Sequence, residues 1–332
     1  MQNNGEQAPL MEPSLQSEEL AAIRISGQDR TDFLQGQLTQ DMKRLTADYP
    51  LLAGWVSPKG RLLCVLWVAE WQNTLWLVLP RELAEVIAKR LKMFVLRANV
   101  QVEMADARVQ PVEQKRLREL YNIKEDPDIS HINHCFYNEN EFCIFPSGIT
   151  EMGIRVQPGP YGDGENKTGL LPWRLANIRA GLPAIWQATT EEFVPQMVNL
   201  DLLDAISFTK GCYVGQEIVA RTQNLGRIKR RMYAFTTATI PSSEVAPGQP
   251  VYGDDGVVGQ IVDAAVTETG VELLAVIRID SLEQNLSLEP DGTYALVKQS
   301  LPYTIPRVGF TEPVSRVTRG YGRYRHRPLA KD

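Results

Sequence analysis

Hydrophobic and polar positions fall into no period at the start of the chain, and residues 1–18 read as a flexible lead-in. Order sets in at Ala21-Ala22-Ile23-Arg24-Ile25-Ser26-Gly27, which alternates as a strand does. Asp29 follows where it would cap a helix carrying Phe33, Leu34 and Leu38. Gly54 to Ala69 alternates on either side of Ser57-Pro58-Lys59-Gly60, a turn signal that predicts a hairpin, and Leu75 to Leu79 predicts a further strand. Leu83, Val86, Ile87 and Leu91 recur near the helical period across residues 81–93, and Ala98 to Glu103 returns to a strand pattern.

Between 110 and 170 the pattern weakens, with a polar stretch at Lys124 to Asp128 and a glycine-rich loop at Pro158 to Gly164. Pro172 to Gly181 predicts a short helix closed by glycine, with Trp173 and Ile178 among its apolar members. Beyond about residue 232, short apolar segments are broken by Pro241, Gly248-Gln249-Pro250, Gly253-Asp254-Asp255-Gly256 and Asp291-Gly292, the texture of a small all-β unit. Arg307 to Asp332 holds seven arginines and lysines against two acids, a basic tail with little apolar surface to offset its ordering entropy. The expected plan is a lead-in (1–18), an α+β region of two intertwined subdomains (19–227), a β domain (228–306) and the tail (307–332).

Composition narrows the class. With 332 residues, 43% hydrophobic and 23% charged, the chain is long enough for two or three packed domains. Apolar runs such as Leu62 to Ala69 stay far below the roughly 20 residues of a membrane span. The polar start, carrying Glu6, Glu12, Glu18 and Glu19, does not read as an export signal. These features predict a cytoplasmic chain without a membrane segment, in which Cys64, Cys135, Cys143 and Cys212 are free thiols. A net charge of −5 confines any contact with nucleic acid to a local basic patch.

The chemistry concentrates in one segment. Phe193-Val194-Pro195-Gln196-Met197-Val198-Asn199-Leu200 is followed, after a spacer, by Ile206-Ser207-Phe208-Thr209-Lys210-Gly211-Cys212-Tyr213-Val214-Gly215-Gln216-Glu217. Gly211 and Gly215 bracket Cys212 and allow a sharp backbone turn, while Lys210 and Arg221 supply positive charge that favours a thiolate. The residues alone leave two readings open: a functional thiol, or a small hydrophobe buried in a tight turn.

Lys-Gly-Cys-Tyr-x-Gly-Gln-Glu at Lys210 to Glu217 resembles the signature of the YgfZ family of folate-binding proteins, relatives of the glycine-cleavage T-protein. The likeness extends to Phe33-Leu34-Gln35-Gly36-Gln37-Leu38-Thr39-Gln40-Asp41, to Pro195 to Leu200 and to Gly256 to Asp263, spanning roughly residues 20–305. It implies an α+β fold of T-protein-like domains around a central channel for tetrahydrofolate, followed by a small C-terminal β-barrel. It also implies a role in tRNA modification and in sustaining iron–sulfur enzymes, with Trp173 stacking on folate. An indole packed in the core is the alternative reading of Trp173, and a second family tryptophan would fall at Leu20. The transferases' pterin-holding glutamate falls at Met197, and only Glu82 and Glu85 stand near the place of their aspartate, which argues against aminomethyl transfer.

The expected function is thus a folate-binding accessory protein acting through Cys212. A one-carbon transferase with Glu82, Glu85 or Glu217 as proton carrier is the rival, and a pure docking module the third reading. His131-x-x-His134-Cys135 with Cys143 matches no closed metal site, and no metal is expected. Arg221, Arg227, Lys229, Arg230 and Arg231, and the Arg-Gly-Tyr tail at Arg319 to Arg327, have the composition of RNA contacts as well as of solvated surface.

Overall fold

The computed structural model describes residues 20–121, 133–146, 150–159, 170–224 and 228–306. The lead-in, the tail, Lys124 to Asp128, His131 and Arg227 lie outside them, as does most of the loop at 158–164.

The first sheet is antiparallel, in the order β2-β3-β4-β1-β5, with β1 Leu20–Ser26, β2 Leu51–Val56, β3 Leu62–Trp71, β4 Thr74–Pro80 and β5 Gln101–Met104. The expected hairpin is β2 and β3, closed where the Ser57 amide donates to the Arg61 carbonyl at 2.8 Å and the Gly60 amide to Ser57 at 2.8 Å. β2 is buried along its whole length, so its apolar run reads as continuous. α2, Arg81–Met93, covers this sheet with Leu83, Ala84, Ile87, Ala88 and Leu91; of the predicted stripe Leu83, Ile87 and Leu91 face inward, whereas Val86 is exposed and the small Ala84 and Ala88 fill the buried face. α1, Arg30–Gln35, is shorter than expected: it carries Phe33 and Leu34 but ends before Leu38, which bridges to Trp55. Asp29 stands at its N-terminus without capping it, because its carboxylate accepts the Asn99 amide at 2.7 Å and ties the helix to the strand beyond α2.

The weakly patterned stretch builds a second antiparallel sheet, β6 (Ala107–Glu113), β7 (His134–Tyr137), β8 (Phe142–Phe145) and β9 (Met152–Pro158), in the order β6-β9-β8-β7. α3, Gln114–Leu120, packs on it. α4, Leu171–Ala180, closes on Gly181 at φ 67°, the left-handed stop that the glycine predicted. α5, Gln216–Asn224, follows the motif.

The third sheet runs β11-β12-β13-β10-β14, with β10 Arg230–Thr236, β11 Pro250–Gly253, β12 Gly256–Val266, β13 Val271–Arg278 and β14 Val297–Gln299. Where a small barrel was expected, the described residues hold a five-stranded antiparallel sheet edged by β11 and β14. Alternation along β10 gives it two buried faces: Met232 and Ala234 join the main core, while Tyr233 and Phe235 join a smaller one on the other side. The inner face is also tied by charge, since Arg174 on α4 reaches the fully buried Asp263 on β12 at 2.6 Å. No described helix is long and apolar enough to cross a membrane.

Candidate functional site

The motif from Lys210 to Glu217 forms a loop leading into α5, set against the end of α1 and the β2–β3 turn. Backbone hydrogen bonds fix its edges: the Ser207 amide donates to Thr39 at 2.9 Å and the Val214 amide to Gly36 at 3.3 Å. Lys210 is buried, and its ammonium donates to the carbonyls of Leu38 at 2.7 Å and Gln40 at 2.8 Å while lying 5.0 Å from the Tyr213 ring centroid. Burial pulls its pKa down to about 8, with Asp41 opposing. The lysine thus latches the loop to the segment after α1. Its ammonium protons are committed to these two carbonyls and not to Cys212.

Cys212 is exposed, whereas Cys64, Cys135 and Cys143 are buried and all four are free. Burial pushes the Cys64 and Cys143 thiols up to about 12, and raises that of Cys135 as well. Tyr213, beside Cys212 in sequence, is buried in the core, and burial raises its phenol too.

The two glycines behave differently. Gly215 has φ +78°, and a Cβ there would stand 2.4 Å from the Ser57 carbonyl oxygen, so the loop and the hairpin turn meet through it. Gly211 has open space around it and ordinary backbone geometry. Gln216 is half-buried and Glu217 exposed at the start of α5.

Pro195–Val198 forms a short 3-10 turn ended by Asn199 at φ 62°. It joins several elements that sequence reasoning left apart. Gln196, fully buried, donates through Nε2 to the Val219 carbonyl at 2.7 Å, and its own carbonyl accepts Arg231 at 2.7 Å. Arg231 forks onto Asp201 at 2.6 and 2.8 Å, so this member of the basic run after the motif is a buried ion pair inside the fold. Asn199 donates to Met232 at 2.8 Å. The oxygens Gln196 Oε1, Gln37 Oε1 and Ser57 Oγ are buried without a hydrogen-bond partner. Met197, where the resemblance would put the transferases' glutamate, brings no carboxylate to the turn.

Trp173 lies on α4 at 6% exposure, within the main core. A cleft of about 490 Å³ opens beside the second sheet and α3, but Pro172 lines it where Trp173 does not. Leu20, buried in β1, stands where the second family tryptophan would be. Glu82 accepts the Gln187 amide at 2.5 Å and Glu85 faces Lys89 at 3.8 Å on the exposed side of α2, and among the described residues neither hydrogen-bonds to the motif loop. Among those residues, no three His, Cys, Asp or Glu side chains are grouped to hold a metal.

Comparisons with known proteins place this geometry. No family model matches the chain. A protein named tRNA-modifying protein YgfZ from Colwellia psychrerythraea is 26% identical over 309 residues, 86% of this chain and 92% of the relative. The YgfZ protein of an Enterobacter strain is 27% identical over 299 residues, 86% and 91% of the two chains. An uncharacterized protein of Haemophilus influenzae is 29% identical over 225 residues, 67% of this chain and 73% of its own. Among solved structures, the glycine cleavage system aminomethyltransferase T of Bartonella henselae superposes with a TM-score of 0.65 at 16% identity, covering 85% of this chain and 83% of its own.

Proposed function

Because the chain is a relative of the YgfZ proteins and carries the fold of the glycine-cleavage T-protein, we propose that it serves tRNA modification as a folate-binding accessory protein. Tetrahydrofolate occupies a central channel of the T-protein-like body, and Cys212 is the group presented to a partner, an iron–sulfur enzyme of tRNA modification. The observation that carries this reading is the contrast at the motif: Cys212 alone of the four thiols is exposed, on a loop latched by Lys210 and closed on the hairpin turn through Gly215.

The residues present fit a reduced folate in one respect and depart from the transferases in another. Gln37 Oε1, Ser57 Oγ and Gln196 Oε1 offer buried hydrogen-bonding capacity without a protein partner, which a polar heterocycle or water would satisfy. Gln196 adjoins Met197 in the same turn and would accept a pterin N–H in place of the missing glutamate, with Trp173 as the flat wall. When bound, the folate would supply a one-carbon carrier. Of the carboxylates that the rival transferase reading would use, Glu82 is engaged by the Gln187 amide and Glu85 faces Lys89, which leaves Glu217, exposed beside the motif, as its proton carrier.

The test uses Cys212→Ser in the full chain. Tetrahydrofolate titration should give parental affinity, while modified-nucleoside levels in tRNA from cells carrying only the variant should fall to those of cells lacking the protein. Parental nucleoside levels in those cells would remove Cys212 from the function.

A further inference from the structure

We propose that a ridge of cations beside Cys212 is a contact surface for the phosphate backbone of RNA. The inference rests on the reading that the chain serves tRNA modification, and it adds a direct contact which that reading does not require.

The register of the third sheet sets Arg230 on β10 directly opposite Arg278 on β13. Paired residues on one face of an antiparallel sheet hold their Cβ atoms about 4.5–5.5 Å apart, and like charges there oppose folding. Arg230 is exposed and Arg278 is 40% exposed. The acid beside them, Asp280, is itself 86% exposed and reaches Arg278 only at 4.0 Å. A repulsive pair left at the surface is accounted for if a polyanion neutralises it.

The pair does not stand alone. Lys229 precedes Arg230 and is exposed. Gln196 joins α5 to β10, through Val219 on one side and Arg231 on the other, so the helix that carries Arg221 and the strand that carries Arg230 are held together at this end of the sheet. Ile218, one helical turn before Arg221 and Thr222, packs against Gly60, which puts exposed Lys59 at the same end of α5. Among the described residues Lys59, Arg221, Lys229 and Arg230 form no salt bridge, and Glu217 and Asp280 are the exposed acids within these same elements. Gly215 sets the Cys212 loop against the turn that holds Lys59. Several cations drawn from four elements suit a chain of phosphates better than one phosphate group. The sequence shows the run from Arg221 to Arg231 but neither sorts its members nor joins Lys59 and Arg278 to it, because Arg230 and Arg231 look alike until alternation turns one out and the other in.

The experiment measures binding of the purified full chain to bulk deacylated tRNA across salt concentrations. Arg230→Gln with Arg278→Gln should weaken binding about tenfold near physiological salt and lower the slope of log affinity against log salt by about 1.5–2. The same double variant should melt at an equal or higher temperature, since the repulsion is relieved. A second variant, Lys59→Gln with Arg221→Gln, should act in the same direction. The proposal is overturned if the parent does not bind tRNA, or if both variants bind as the parent does. It is also overturned if binding survives both variants but vanishes on removing residues 307–332, or if polyglutamate competes as well as tRNA, which would mark an acidic protein as the occupant. Nucleoside levels in the Cys212→Ser cells report separately on the tRNA-modification role, so failure of the ridge and failure of that role give different results.

Discussion

Gly215 and the Ser57 carbonyl approach so closely that a single methyl group on the glycine would lie 2.4 Å from the oxygen. The motif's second glycine is therefore fixed by the hairpin turn, whereas its first, Gly211, meets nothing within 4 Å. Gly215→Ala should destabilise the fold by about 1–3 kcal/mol through backbone strain at positive φ, with the clash added. Gly211→Ala should be neutral or stabilising by up to about 1 kcal/mol, through loss of unfolded-chain entropy. Denaturant midpoints of the two variants check this, and equal losses would refute the distinction.

Lys210 joins the motif to two carbonyls that lie some 170 residues earlier in the chain. Lys210→Met keeps the apolar stem but strips both acceptors of a charged donor, each such bond contributing about 1.5–3 kcal/mol. Relief of the buried ammonium's desolvation offsets part of this. The net expectation is a loss of about 2 kcal/mol, with faster amide hydrogen exchange across residues 207–214 than in the parent. Unchanged exchange there would show that the latch is not what holds the loop.

The three buried thiols should make the protein sensitive to alkali. Cys64 and Cys143 are pushed up to about 12 by burial, so each contributes stability that is complete below pH 9 and is lost as pH rises from 9 toward 12. Lys210 opposes them, because its lowered pKa favours the folded state as pH rises from about 8 to 10.5. The thiols and buried phenols outnumber it, and stability should fall above pH 9 by up to about 1.4 kcal/mol per pH unit for each titrating group. Cys64→Ala should flatten the slope, measured between pH 9 and 10.5. In the native protein near neutral pH, alkylation should label Cys212 and leave the other three for denatured chains.

Much of the first sheet is legible from sequence because its signals are local: turn residues at 57–60 and a helical stripe over 81–93 coincide with β2, β3 and α2. The second sheet is not. β6 is half-buried along most of its length, and β7 and β8 span four residues each, too short for alternation to stand out. Cys212 and Gly215 are likewise visible as a motif. The roles of Lys210, Gln196 and Arg231 depend on partners far away in sequence, and no spacing encodes which carbonyl an ammonium will meet. The Arg221-to-Arg231 run shows this most plainly, since one of its members is a buried partner of Asp201 while others are exposed.

Asp263 and Arg174 give a prediction whose sign depends on pH. The carboxyl of Asp263 is fully buried, and burial pushes its pKa up to about 6, while the guanidinium of Arg174, the Ala264 amide and the Trp186 indole pull it down. Between about pH 4 and 6 the folded state therefore holds a proton that the unfolded chain releases, and the corresponding stability is complete below pH 4 and lost by pH 6. Arg174→Met removes the main opposing charge and raises the carboxyl further. At pH 8 the variant folds around an unpaired buried carboxylate or carries the cost of protonating it, and it should lose about 3–5 kcal/mol. At pH 5 Asp263 is protonated in the variant, and the loss should be distinctly smaller. Adding Asp263→Leu to Arg174→Met should recover most of the stability at pH 8, because an apolar pair needs no neutralisation. Trp173 precedes Arg174 on α4, so if it stacks on folate, tetrahydrofolate affinity should fall in the single variant and return in the double one. Unfolding midpoints at pH 5 and pH 8, with a folate titration of each variant, decide the matter. Equal losses at the two pH values would mean that Asp263 is not the group left uncompensated.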